Sequence, residues 1–195
     1  MNKLELIANI ARHNLKSFKT FLRKTLNKSD LDRWRKRSSF DENWDSRTIK
    51  MASYVQPNSS VIEFGAGRLV LKDHLPANCN YTPSDIVERG HNTLVIDLNK
   101  YPLPDLDNFD YAIFSGVLEY VNKLPKFVDF LSPRMKTIVA SYATLEKNKL
   151  RGIHGWVNSY TEQQFVEIFE NSGYVMSEKA FWKNQTIYVF ENKKS

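Results

Sequence analysis

Val61-Ile62-Glu63-Phe64-Gly65-Ala66-Gly67-Arg68-Leu69 decides the reading of this chain. The apolar run has the pattern of a buried strand, two glycines break it, and the residues that follow read as the entry into a helix. Lacking a Cβ, Gly65 and Gly67 open backbone angles closed to other residues and let a ligand lie against the main chain. Such a turn belongs to nucleotide-type pockets, and equally to plain tight turns between a strand and a helix. Glu63, an acid at the strand end, narrows the choice of ligand.

The residues downstream favour the pocket. Asn80-Tyr81-Thr82-Pro83-Ser84-Asp85 predicts a second strand whose terminal acid stands eighteen positions after Gly67, close to the spacing at which an acid accepts hydrogen bonds from ribose hydroxyls. Asn92-Thr93-Leu94-Val95-Ile96-Asp97 predicts a third strand, again ending in an acid. Glu63, Asp85 and Asp97 would then face one crevice at the carboxyl ends of the strands, where open α/β sheets bind ligands. A dinucleotide fold would place a third glycine two or three residues after Gly67, where this chain has Leu69 and Val70. The segment between Asp85 and Thr93 is too short for the usual crossover helix, and prolines 102 and 104 mark a loop before the next strand.

Asp110-Tyr111-Ala112-Ile113-Phe114-Ser115-Gly116-Val117-Leu118-Glu119-Tyr120-Val121 reads as a fourth strand and a following helix. With this stretch added, residues 44–192 resemble the class I S-adenosylmethionine-dependent methyltransferases, whose small-molecule members often carry a similar G-V-L-E-x-V sequence. The resemblance implies a Rossmann-like α/β fold: seven mostly parallel strands with an antiparallel last strand, and helices on both faces. It implies S-adenosylmethionine as cofactor, held by Trp44, Arg47, Glu63, Gly65, Gly67, Asp85, Ile86, Asp97, Leu98 and Ser115. Trp44 would lie against the sulfonium or adenine and Arg47 would pair with the methionine carboxylate; each could instead serve packing.

The remaining segments keep the family order. Lys136-Thr137-Ile138-Val139-Ala140-Ser141-Tyr142 predicts a fifth strand. A helix opens at Thr161-Glu162-Gln163-Gln164-Phe165, capped by Thr161 or Ser159 and closed by Gly173. Residues 174–181 and 185–191 form the last two strands, joined by a hairpin turn at Asn184.

An O- or N-directed methyl transfer needs an aligned acceptor and, for a neutral hydroxyl, a base. His154, in the loop after the fifth strand, has an imidazole suited to proton removal near neutrality. Glu119 is the second candidate, with a local cap or pair as its other reading. Arg151 could bind an anionic acceptor and Trp156 could form a wall. The acceptor implied is a small metabolite, a glycan precursor or a lipid-linked molecule. Ser115-Gly116-Val117-Leu118 stands where amino-methylating nucleic acid enzymes of this fold carry N/D-P-P-Y/F, which makes that chemistry the less favoured one. Cys79, the only cysteine, permits no intramolecular disulfide, and Asp105, Asp107 and Asp110 are spaced like turn and strand-entry residues, so no metal site is expected. A non-catalytic binding or regulatory protein on the same scaffold is the contrasting reading.

The chain has 195 residues, 42% of them hydrophobic, and a net charge of +6. That suits one domain with a sizeable core and an appendage, set here as an arm over 1–39 and a domain over 40–195. Residues 1–37 hold eleven Lys or Arg against three acids, a balance of +8, and the remainder carries −2. Leu4, Ile7, Ala11, Leu15, Phe18 and Leu22 recur at helical spacing, as do Arg12, Lys16, Lys19 and Arg23 on another face. This basic amphipathic helix could pack on the domain, lie on an anionic membrane or engage nucleic acid phosphates. A second helix is expected from a Ser29-Asp30 cap through Arg37, ending at Ser38-Ser39-Phe40, and a third over residues 48–55. The opening Met1-Asn2-Lys3-Leu4-Glu5 lacks the features of a signal peptide, and no apolar run approaches a membrane span. The expected location is cytoplasmic, with peripheral membrane contact open to the arm.

Overall fold

The computed structural model describes residues 3–194. Met1 and Asn2 lie outside them, as do the side chains of Lys3 and Leu4, so Leu4 of the expected apolar stripe is not described.

Seven strands form one sheet: β1 (Ser60–Phe64), β2 (Asn80–Asp85), β3 (Leu94–Val95), β4 (Phe109–Phe114), β5 (Met135–Tyr142), β6 (Tyr174–Trp182) and β7 (Gln185–Asn192). Their order is β3-β2-β1-β4-β5-β7-β6. The first five strands are parallel, and β7 runs antiparallel to both β5 and β6. The seven strands, mostly parallel with an antiparallel last strand, are those the resemblance implied, and the expected hairpin joins the last two, with Lys183 at a positive φ of 47°.

Strand period explains the two cores. Ile62, Phe64, Ala112, Phe114, Ile138, Ala140, Tyr188 and Phe190 face one side, where α4 (Leu124–Leu131) and α6 (Glu162–Asn171) cover them. Their alternates Val61, Ile113, Val139, Ile187 and Val189 face the other side, beneath α3 (Asp45–Ala52) and Leu71. Apolar residues on both faces are what a central sheet sandwiched by helices requires. Thr161 caps α6 with a reciprocal capping box to Gln164, so Thr161 rather than Ser159 takes that role.

Four expectations change. The helix after the glycine turn is a five-residue 3-10 turn, Val70–His74, because Leu69 before it sits in the left-handed region at φ 64° and Pro76 follows closely. The third strand shrinks to Leu94–Val95: it pairs on one side only, its side chains are exposed, and Asp97 turns the chain inward by accepting from the Asn99 amide. The helix expected directly after β4 is only a 3-10 turn at Leu118–Tyr120; α4 begins after it, with Lys123 as its N-cap residue and Pro125 in its first turn. The second arm helix, α2 (Leu31–Trp34), spans four residues and is followed by a 3-10 turn at Arg37–Ser39; Asp30 is its N-cap.

The arm helix α1 (Lys3–Thr25) rests on α5 (Arg151–His154). Its contact face is small and polar: Thr20 donates to the Gly152 carbonyl at 2.8 Å, and a Cβ on Gly152 would stand 3.0 Å from Ser17 Oγ. Ile7, Leu15, Phe18 and Leu22 are exposed, so the apolar stripe is not the surface that packs on the body. No described helix is long and apolar enough to cross a membrane.

Candidate functional site

The sheet order reverses between β1 and its neighbours β2 and β4, and a cavity of about 720 Å³ opens at the carboxyl ends of these strands. All ten expected cofactor residues line it: Trp44, Arg47, Glu63, Gly65, Gly67, Asp85, Ile86, Asp97, Leu98 and Ser115. Arg23, Lys28, Ser29, Asp30, Arg33 and Trp34 of the arm, Phe40 and the loop after β5 complete its walls.

Gly65 and Gly67 have φ of +72° and +51°, and Cβ atoms there would stand 2.4 Å from Val117 Cγ2 and 2.9 Å from Phe40 Cε1. The glycines are therefore required both by backbone angle and by the close approach of neighbouring walls. At the β2 end, Asp85 accepts from the Gly67 amide at 2.9 Å and pairs with Arg89, whose guanidinium also lies over the Phe40 ring and donates to the Trp34 carbonyl. At the β3 end, Ser29 donates to Asp97 Oδ1 at 2.5 Å, and Asn99 donates to Ser29 Oγ and to the Tyr120 carbonyl. The Ser84 hydroxyl, in the wall between them, is buried without a partner among the described residues.

At the β1 and β4 ends the site holds two buried ionisable side chains, Glu63 and Arg47. Glu63 is 2% exposed and accepts from the Tyr81 hydroxyl; burial pushes its carboxyl up to about 8. Arg47 donates from Nε to Ser115 Oγ, from Nη2 to the Ser115 carbonyl and from Nη1 to Gln185 Oε1, and it leaves no room for a Cβ on Gly116. Burial lowers its pKa, which nearby Glu119 partly opposes. Trp44 and Trp182 lie against the same guanidinium, 5.9 and 5.1 Å from ring centroid to Cζ.

Glu119, expected as a candidate base, does not reach the cavity. It is fully buried behind the wall, where Oε1 accepts from the Ala143 amide and Gln185 Nε2 while Oε2 has no partner among the described residues. Burial raises its pKa. Arg151 is likewise withdrawn: it donates to the carbonyls of Ala143 and Asn158 and to the Tyr142 hydroxyl, so it pins the loop after β5 instead of facing an acceptor. A 4% exposed arginine spent on backbone carbonyls is a structural clamp.

His154 does line the cavity, stacked on Trp156 at 4.6 Å. Partial burial, then Arg33, Arg151 and Lys16, depress its pKa, which keeps the imidazole neutral near pH 7. Arg33 donates to the His154 carbonyl at 2.7 Å and lies over the rings of Trp34 and Tyr120.

Several lining residues escaped the sequence reading: Arg33, Trp34, Phe40, Arg89, Asn99, Tyr120 and Gln185. Arg89 alone carried a local signal, its four-residue spacing from Asp85. The others act across 20 or more positions of sequence, where no periodicity reports them. Among the described residues, no group of three His, Cys, Asp or Glu side chains is placed to hold a metal ion. The only cysteine, Cys79, is half-buried against the second core.

No family model and no curated protein matches this sequence. Solved structures do match in fold. The 1,6-didemethyltoxoflavin-N1-methyltransferase of Burkholderia thailandensis, with 1,6-didemethyltoxoflavin and S-adenosylhomocysteine bound, is similar at a TM-score of 0.61 and 11% identity, over 98% of this chain and 91% of that one. Magnesium protoporphyrin IX methyltransferase of Synechocystis PCC 6803, with S-adenosylhomocysteine bound, gives 0.61 and 16% over 90% and 99%. Human N-acetylserotonin methyltransferase, in complex with S-adenosylmethionine, gives 0.60 and 15%, over 82% of this chain but only 55% of its own. At these identities the likeness is one of architecture, and the fold of this chain is that of the small-molecule S-adenosylmethionine-dependent methyltransferases.

Proposed function

We propose that this chain binds S-adenosylmethionine in the β1–β4 crevice and directs methyl transfer to an O or N atom of a small metabolite, a glycan precursor or a lipid-linked acceptor. The observation that carries the reading is the convergence of the glycine turn, Asp85, Asp97 and Ser115 on one cavity. The residues fit the cofactor: a glycine-lined crevice of about 720 Å³, more apolar than polar in its walls and with an unpartnered Ser84 hydroxyl among them, suits a nucleoside with a polar tail. Gly65 and Gly67 would let it approach the main chain, Asp85 would accept from the ribose hydroxyls, and Asp97, Ile86 and Leu98 would flank the base. Glu63, Ser115, Arg47 and Trp44 would hold the methionine end. The bound cofactor would supply an activated methyl group, so the protein's task is alignment and exclusion of water. His154, neutral and at the rim, would accept the proton of a hydroxyl or amine acceptor.

On this reading the arm's partner is a membrane surface, with nucleic acid the less favoured one. One observation favours the contrasting non-catalytic role: Asp85 is already paired with Arg89, and Phe40 packs on the glycine turn, so the ribose subsite is partly closed. Calorimetric titration with S-adenosylmethionine and its demethylated product decides between them. Binding that is lost in Asp97→Ala supports the assignment, and absence of binding for both compounds at millimolar concentration overturns it.

A further inference from the structure

The arm helix α1 presents three faces. Thr20 and Ser17 meet Gly152 of α5 and fix the helix to the body. Ile7, Ile10, Leu15, Phe18, Phe21 and Leu22 project outward along one side of the helix, with Phe18 57% and Phe21 61% exposed. Arg12, Lys16 and Lys19 lie beside that stripe, all exposed, and α1 carries only Glu5 as an acid.

A stripe this size in water is unfavourable unless something covers it. The body does not, because its contact is made through the small polar face. The flanking cations identify the occupant. An apolar stripe edged by lysine and arginine matches a surface that is apolar below and anionic above, the headgroup boundary of an anionic bilayer. A second copy of the chain would bring its own cations against these.

We propose that α1 docks this protein on the surface of an anionic lipid bilayer, seated by Phe18 and Phe21, with the mouth of the cavity held beside the headgroups. The connection is direct. Arg23 at the end of α1, then Lys28, Ser29 and Arg33, line the cavity, and α5, on which α1 rests, contributes His154 to the same rim. Leu150, immediately before α5, is also exposed. The acceptor would then be a lipid-borne molecule taken from that surface; this last step rests on the methyl-transfer reading, whereas the docking does not.

Flotation of the full chain with vesicles tests the docking without any cofactor. The chain is expected to float with mixed phosphatidylcholine and phosphatidylglycerol vesicles, to stay behind with phosphatidylcholine alone, and to lose binding as salt rises. Phe18→Asp/Phe21→Asp and, separately, Arg12→Glu/Lys19→Glu should each reduce the bound fraction about tenfold or more. Unchanged helix content and thermal midpoint in both variants would exclude misfolding. Equal flotation of the Phe variant, no flotation of the wild type at low salt, or a dimer that Phe18→Asp/Phe21→Asp makes monomeric would each overturn the proposal. Titration with S-adenosylmethionine in vesicle-free solution reports on the methyl-transfer reading separately, so either can fail alone.

Discussion

Arg89 closes on Asp85 as a buried ion pair, its Nε 3.0 Å from Oδ2 and its Nη2 3.0 Å from Oδ1, with 6% and 5% of the two side chains exposed. Removing one partner leaves the other charge buried and uncompensated. Arg89→Met should lower stability by about 3 kcal/mol, and the Asp85→Asn/Arg89→Met double variant should recover part of the loss. Urea unfolding of the three proteins measures this; a cost below about 1 kcal/mol in the single variant would show that the pair is solvated.

Glu63 makes the stability of the fold pH-dependent. Its carboxyl is raised from an ordinary 4.5 to about 8, so the folded state holds a proton that the unfolded chain has released. That contribution is complete below pH 4.5, declines as pH rises and is lost above about 8. Glu63→Gln should remove the decline, with thermal midpoints that match the wild type in acid and exceed it at alkaline pH. Parallel pH profiles for both proteins would contradict the assignment.

Gly67→Ala meets two obstacles, a φ of +51° and Phe40 Cε1 at 2.9 Å from the new Cβ. The left-handed backbone alone costs about 1–2 kcal/mol. Phe40→Leu should relieve the contact but not the strain, so a double-mutant cycle in thermal stability should show a positive coupling between the two sites. Additive effects would place Phe40 away from the turn.

With its pKa depressed below 6.5, His154 is neutral through the physiological range. For the proposed methyl transfer, kcat should be level at neutral and alkaline pH and fall only in acid, at a lower pH than an ordinary imidazole would give. His154→Asn should reduce kcat by about 10²-fold or more while leaving cofactor affinity unchanged. An unaltered kcat would take the base role from His154.

Legibility followed the range of each interaction. The helix start at Thr161 or Ser159, the hairpin turn at Asn184 and the buried run Val61–Phe64 depend on neighbours within four residues, so sequence pattern exposed them; the capping box that selects Thr161 and the positive φ at Lys183 came from the structure. The strand-end acids were legible for the same reason, since where a strand stops is a local event. The helix expected after Gly67 failed because Leu69 adopts the left-handed region, a state its residue type does not announce.

By itself, then, the sequence marked where most of the strands lie and where the glycine turn breaks the first of them, because an apolar run and a glycine turn are properties of adjacent residues; the mostly parallel sheet was what the family resemblance implied, and the third strand came out at two residues. Only the tertiary structure decided that Arg47 binds Ser115 and Gln185, that Arg151 clamps carbonyls, and that Glu119 is sealed behind the cavity wall. It also decided which face of α1 meets the body. Amphipathic spacing marks an apolar stripe but not what covers it; here Gly152 admits the narrow Ser17–Thr20 face, and the apolar residues stay outside.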